Sequence, residues 1–419
     1  MKGERCHSRL LGLIVLLVLG VQFSASVAQT IHPYGLAQMV AVSDDNMSGT
    51  ARFIGLGGAM TAVGGDPTAV KQNPAGLGIY RHSQFSISGD GSFRRFSQDG
   101  LGLPDPWYSR WHLSQVSYVF AITHPERVAG VVSNNIMISY AKRSDIMRII
   151  TLNDGSGTAA TPGSIRTNID EYGYRHDADV HYAMNISNRV YWGVGLTIEW
   201  MQLRQTINRR EYMLADKRGR ACEYTLNENA TGRTVGVGGT IGLIAHPVQA
   251  VRLGLSVESP VVGRMRETDY YTEEFYYPTA SSDNVLVYDS PDYISRWQVT
   301  SPLKASAGLG LQWRNHGLLS IQYDMQYHKL IGVAHTARVG VEAAITNHWM
   351  IEAGYNYSTL YARQRVSLGV NYMGKWLRAG LAYAHSWSKG QVIDSVNFTG
   401  QGVYNTRENK FVLTFQWNS

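Results

Sequence analysis

The stretch Val190-Tyr191-Trp192-Gly193-Val194-Gly195-Leu196-Thr197-Ile198-Glu199-Trp200 puts two unlike faces on one strand. Val190, Trp192, Val194, Leu196, Ile198 and Trp200 share one side, and Tyr191, Gly193, Gly195, Thr197 and Glu199 share the other. Period two is the signature of a strand. Trp192 and Trp200 lie about 26 Å apart along it, or roughly 20 Å after a 40° tilt, close to the height of the apolar band of a membrane barrel. A soluble sandwich would turn a polar face outward. Here the second face is small and glycine-rich, which suits a lumen.

The same alternation recurs downstream. Leu303, Ala305, Ala307, Leu309, Leu311 and Trp313 follow it, as do Leu319 to Tyr327, Ala337 to Ile345 and Trp349 to Tyr357. The chain ends on Phe411, Leu413, Phe415 and Trp417, with Asn418 and Ser419 beyond them, whereas membrane barrels commonly finish on an aromatic residue. The spacing predicts about 14 strands over 83–419. They start near residues 83, 113, 130, 178, 190, 232, 250, 297, 318, 335, 349, 365, 377 and 408. Every second connection is short, as at Ser187–Arg189 and Thr346–His348. The others include the long segments Ser92–His112, Lys142–Asp177, Gln205–Thr231, Met265–Arg296 and Lys389–Asn405, which read as outer loops. Short turns on one side and long loops on the other describe an all-β, transmembrane antiparallel β-barrel with both termini on the short-turn side.

Composition agrees. Only 17% of the 419 residues are charged, 11% are aromatic and 43 are glycine. Beyond the N-terminus no apolar run is long enough to span a bilayer as a helix. Lys2, Arg5 and Arg9, the apolar run Leu10–Val21 and the small residues Ser26-Val27-Ala28 read as a secretory signal peptide over 1–28. That leaves Cys222 as the one thiol of the mature chain, so no internal disulfide is expected. The expected location is the outer membrane of a Gram-negative bacterium. The net charge of +6 comes with no basic stripe interleaved with aromatics, so nucleic acid is not an expected partner.

Residues 29–82 do not alternate and are crowded with small residues: Gly49, Gly55, Gly57, Gly58, Ala59, Gly64 and Gly65, then Asn73-Pro74-Ala75-Gly76. About fifty such residues can fold as a compact hatch or plug inside a barrel. Gly55-Leu56-Gly57-Gly58-Ala59-Met60 lacks the last glycine and the preceding strand of a dinucleotide loop. The segment Thr50–Met60, with Gly65-Asp66-Pro67-Thr68-Ala69-Val70 and Asn73-Pro74-Ala75-Gly76-Leu77, resembles the N-terminal hatch of the FadL/TodX family. Its Arg52-Phe53 and Leu56-Gly57-Gly58 variant looks most like the Bacteroidetes branch. The resemblance implies a hatch followed by a barrel, and uptake of hydrophobic molecules such as long-chain fatty acids or aromatic hydrocarbons. It places the hatch element on Asn73, Pro74 and Ala75, with Gly76 keeping the turn slim. Residue by residue, Asn73 is expected to close an Asx turn, and the docked turn is expected to shut the pore.

A hydrophobic solute needs apolar surface, so the interior is expected to be aromatic, aliphatic and glycine-rich. The outer segment 265–296 offers Tyr270, Tyr271, Phe275, Tyr276 and Tyr277 for capture. For an anionic head group, Lys304 and Arg338 are expected to point into the upper lumen, with Asp324 within diagonal reach of Lys304. The segment 205–231, with Arg204, Arg209, Arg210, Lys217, Arg218 and Arg220, is a candidate for lipopolysaccharide phosphates. No hydrolase elbow, metalloprotease helix or metal-ligand spacing is present, so neither catalysis nor a cofactor or metal is expected. A monomeric transporter is the favoured reading. The alternative is a barrel of the same type recruited to secretion or assembly, where it binds a protein partner.

Overall fold

The computed structural model describes residues 39–40, 47–99, 107–128, 130–154, 165–213, 222–277, 285–313, 317–395 and 398–418. The signal-peptide reading of 1–28 lies outside them, as do Lys217, Arg218 and Arg220. The described strands are β1 (Gln84–Asp99), β2 (Trp107–Val128), β3 (Val131–Asp154), β4 (Ile165–Ile186), β5 (Val190–Met213) and β6 (Cys222–Val248). They continue as β7 (Val251–Glu258), β8 (Val262–Tyr276), β9 (Val285–Asp289), β10 (Tyr293–Thr300), β11 (Leu303–Trp313) and β12 (Gly317–His328). The last five are β13 (Gly332–Ala344), β14 (Trp349–Ser358), β15 (Arg363–Met373), β16 (Leu377–Ser395) and β17 (Phe398–Asn418).

These segments make a closed antiparallel barrel of 14 strands. Closure runs through β1, which pairs with β2 on one side and with β17 on the other, Gln84 opposite Asn418. Two barrel strands are interrupted. β7 and β8 are one strand broken at Pro260, and β10 and β11 are one strand broken at Pro302. Proline has no N–H to give to a ladder. At each break a serine oxygen also takes a facing N–H in place of a ladder carbonyl: Ser259 Oγ accepts from Gly239 N at 2.9 Å, and Ser301 Oγ accepts from Val261 N at 2.9 Å. β9 pairs only with the far end of β8 and adds to the outer wall.

The protein is inside out relative to a soluble one. Leu196, Ile241, Leu255 and Leu368 are each more than half exposed, whereas Ser86, Asn135, Asp179 and Ser320 are buried on the inner face. An apolar outer band over a polar interior is what a barrel in a bilayer requires. Tyr140, His176 and Trp200 stack on the outer face with ring centroids 5.6–5.9 Å apart, forming part of an aromatic belt near the end of the apolar band.

The expected outer loops are largely strand. Lys142–Asp154 pairs with Ile165–His176 apart from a bulge at Arg143, and Thr206–Met213 pairs with Cys222–Asn229. β3 to β6 run 22 to 27 residues, well beyond the roughly 9–11 that cross a bilayer, so one side of the wall stands high above the membrane. On the opposite side β12 to β15 have only 10 to 13 residues and the rim is low. Above the membrane both faces are wet, so the period-two pattern fades although the pairing continues.

Candidate functional site

Residues 47–82 lie against the inner face of the wall and are built from short capped pieces. Thr50 caps α1 (Ala51–Gly55), accepting from Phe53 N at 3.2 Å and donating to Asp66 Oδ2 at 2.7 Å. Asp66 in turn caps α2 (Pro67–Gln72), accepting from Thr68 N and Ala69 N, with Pro67 at the first helical position where a missing N–H costs nothing. One carboxylate therefore ties two helix starts together. A 3₁₀ turn, Pro74–Ile79, follows. Asn73 closes it as an Asx turn, its Oδ1 accepting from Ala75 N at 3.1 Å. Asn73 Nδ2 also donates to Thr61 O at 2.7 Å and to Leu243 O on β6 at 3.2 Å.

The wall receives this segment on glycines. Gly193 and Gly242 sit directly opposite each other on β5 and β6. A Cβ at Gly193 would meet Pro74 C at 2.5 Å, and one at Gly242 would strike Asn73 Oδ1. Gly254 and Gly308 are paired in the same way beneath Thr61 and Ala62, and Gly340 and Gly354 beneath Leu56 and Gly57. Each pair brings two backbones into contact where any side chain would hold them apart.

Polar side chains complete the attachment. Arg52 grips Glu342 with Nε at 2.6 Å and Nη2 at 3.0 Å. Asn135 Nδ2 donates to Leu77 O at 2.8 Å and to Tyr80 O at 3.0 Å, while Arg252 donates to Val63 O at 2.9 Å. Lys71 lies 2.6 Å from Asp177 and 3.3 Å from Asp179. Burial alone would favour its neutral form, but these two carboxylates raise its pKa above the ordinary lysine value and hold it charged. The Arg52 pair carries a prediction. Glu342→Ala strands a largely buried guanidinium, a loss of about 3 kcal/mol. Trypsin is expected to cut after Arg52 in the variant and not in the parent, with the β circular dichroism signal unchanged in both.

Above this segment is a cavity of about 160 Å³. Its lining corrects the expectation of an apolar interior. Lys71, Lys142, Arg143, Asp177, Glu258, Lys304, Asp324 and Arg338 face it, and Met47, Phe53 and Ala141 are its main apolar surfaces. A wall strand has one apolar face to spend, and here lipid takes it.

The cavity reaches a seam in the wall. The ladder between β2 and β3 ends at Gln115 and Ala141, both of which line the cavity. Beyond that point β2 stays paired with β1, while β3 bulges at Arg143 and continues with β4 alone. Side chains bridge the gap in place of backbone. Arg110 Nη1 is 2.6 Å from Asp145 Oδ1, and His112 Nε2 is 3.4 Å from Oδ2. Higher still, Phe96 and Tyr108 pack with Met147, Ile149 and Ile150. Trp111 and Tyr140 stand on the outer face on either side of the seam.

The predicted residues fall in several places. Lys304 and Arg338 both line the cavity. It is Arg338 that pairs with Asp324, Nε to Oδ2 at 2.6 Å, while Lys304 stands opposite Gln326 and Glu258. The capture residues do not converge. Tyr270 and Tyr276 are exposed on one face of β8, Tyr271 and Phe275 lie on the other, and Tyr277 follows the strand end. Phe275 packs on Tyr224 at 4.9 Å and Tyr271 approaches Tyr288 at 6.2 Å. Arg209 pairs with Glu211 at 2.9 Å. Asn73, Pro74, Ala75 and Gly76 form one docked turn, fully inside the wall. The seam was missed in the sequence, because the charged run Lys142-Arg143 reads as the start of a loop.

No family model and no curated protein matches the sequence. Solved structures do match the fold. A Pseudomonas aeruginosa FadL homologue superposes with a TM-score of 0.63 at 13% identity, over 90% of this chain and 99% of that one. The P. putida toluene transporter TodX gives 0.59 at 14%, over 90% and 99%. The Ralstonia pickettii toluene transporter TbuX gives 0.52 at 13%, over 94% and 99%. With the closed wall of 14 strands, these likenesses make the chain a FadL/TodX-type barrel in fold, a multi-pass β-barrel membrane protein.

Proposed function

We propose that the protein is a monomeric channel of a Gram-negative outer membrane that takes up small hydrophobic or amphiphilic molecules, with residues 47–82 as its hatch. The observation that carries this reading is the cavity that meets an unpaired seam in the wall at the level of the outer aromatic belt. A solute that enters from outside finds the way down filled by a segment tied to the wall on many sides. Among the described residues, the way sideways is held by side chains only. Release between β2 and β3 into the bilayer therefore breaks the fewest bonds. No covalent step is part of this reading, and the protein acts as a channel rather than an enzyme. The likeness to toluene transporters supports aromatic hydrocarbons as cargo, and the resemblance of residues 50–77 to the FadL/TodX hatch adds long-chain fatty acids. The charged lining favours a cargo with a polar end, for which Lys304 and Arg338 are the candidate holders.

Deleting the gene is expected to lower uptake of labelled fatty acid or toluene, and restoring the chain to recover it. Mass spectrometry of the purified barrel should find retained amphiphiles. Unchanged uptake together with co-purification of a large secretion complex would instead assign the recruited, partner-binding role.

A further inference from the structure

On the lipid-facing side of the wall, Arg233 stands directly opposite Arg266, and Arg266 directly opposite Arg296, in one row across β6, β8 and β10. All three side chains are exposed, and Arg264 follows two residues below Arg266 on the same face. None of these four has a hydrogen-bond or ion-pair partner among the described residues. Like charges placed directly opposite repel, so a fold that lines up three arginines does so against its own stability unless an anion joins them. At strand spacing the row covers about 10 Å.

Its height identifies the anion. Trp200 of the aromatic belt pairs with Val235, and Gln202 pairs with Arg233, so the row lies about 7 Å outside the belt. Below it, Val235, Val237 and Val262 are exposed to the apolar band. An open pocket of about 540 Å³ spans the two levels, lined by Val235, Val262, Gly263 and Trp297 together with Arg264, Arg296 and Gln298. An apolar floor beneath a guanidinium row matches a molecule with acyl chains below and phosphate above. Guanidinium binds phosphate through paired, charge-assisted hydrogen bonds.

We propose that this face is a binding site for a phosphorylated glycolipid of the outer leaflet, its phosphates held by Arg233, Arg266 and Arg296. The site is part of the wall rather than of the segment 205–231. The proposal rests on the outer-membrane placement given above and not on transport.

The test uses the full-length barrel in neutral phosphatidylcholine nanodiscs, and reads bound lipid by native mass spectrometry and stability by thermal unfolding. Bis-phosphorylated lipid A is expected to bind about tenfold or more tighter than its dephosphorylated form and to raise the unfolding midpoint. Arg233→Gln/Arg266→Gln/Arg296→Gln is expected to abolish both effects while unfolding no earlier than the parent in the neutral disc, because the repulsion is gone. Arg266→Gln alone, at the centre of the row, gives the same sign if the triple variant inserts poorly. Equal binding of the two lipid forms, unchanged binding by the variants, or the same stabilisation by inorganic pyrophosphate without acyl chains would overturn the proposal. Uptake is not measured, so a failed channel reading leaves this result standing.

Discussion

Gly193→Val/Gly242→Val is expected to leave the barrel assembled and to open it. Neither residue contributes a side chain to the strand ladder, and valine favours strands more than glycine does. Their bare Cα atoms are the floor on which Asn73 and Pro74 rest. Two added side chains overfill that floor, at about 1–3 kcal/mol each. Of the bonds made by Asn73, only that from Nδ2 to Leu243 O reaches the wall, and it contributes about 1 kcal/mol. The overfilling exceeds it, so the turn is expected to leave its socket rather than the strands to part. Entry of a hydrophilic antibiotic through the barrel should rise about tenfold or more, because gated steps respond steeply once the gate is displaced. Surface abundance and heat-modifiable gel mobility should stay near the parent's. Asn73→Trp is expected to act in the same direction from the other side of the contact. If either change empties the membrane of protein while the surviving barrels stay tight, the turn serves folding and not closure.

How far the sequence speaks depends on what surrounds each strand. In Val190–Trp200 lipid lies on one side and lumen on the other, so side-chain chemistry alternates and the strand is plain. In Thr225-Leu226-Asn227-Glu228-Asn229-Ala230 water replaces lipid. The alternation disappears, and β6 is legible only below about residue 231. Pairs such as Gly193 and Gly242 are visible as small residues, but only the register shows that they share a floor. Asp324 illustrates the same limit. Lys304 and Arg338 both stand diagonal to it, on β11 and β13, and the sequence offers no means of choosing. The longer, forked guanidinium closes the distance. The arginine row is harder still to see, since its members lie 33 and 30 residues apart along the chain.

On the proposed channel reading, the polar lumen decides how a hydrophobic cargo would travel. Leaving water rewards an apolar solute with about 25 cal/mol per Å², but only if the surface that receives it is not solvating ions. Around this cavity Arg338 pairs with Asp324, Lys71 with Asp177 and Arg143 with Glu258. A neutral hydrocarbon pressed against such pairs strips water from them and gains little. An amphiphile can set its polar end among them and keep its tail toward Ala141 and the seam. The lumen then works as a transfer point for the head group, and the tail need never cross it.

That geometry makes the seam the step to block. Arg110→Cys and Asp145→Cys place one thiol on each side of it, and Cys222→Ser removes the native thiol among the described residues. Before linking, the variant is expected to take up amphiphile at least as fast as the parent, because the Arg110–Asp145 bridge is gone and no backbone bond replaces it. Joining the two thiols with a short bis-methanethiosulfonate should cut uptake about tenfold or more, and a reductant should restore it. A linked pair at Ile321→Cys and Val339→Cys, on strands whose ladder is unbroken, should change nothing. The barrel is equally stapled in both cases, so general stiffening cannot account for a difference. Full uptake through the linked seam would mean that the cargo leaves past Asn73 and the hatch, and that β2 and β3 part for some other reason.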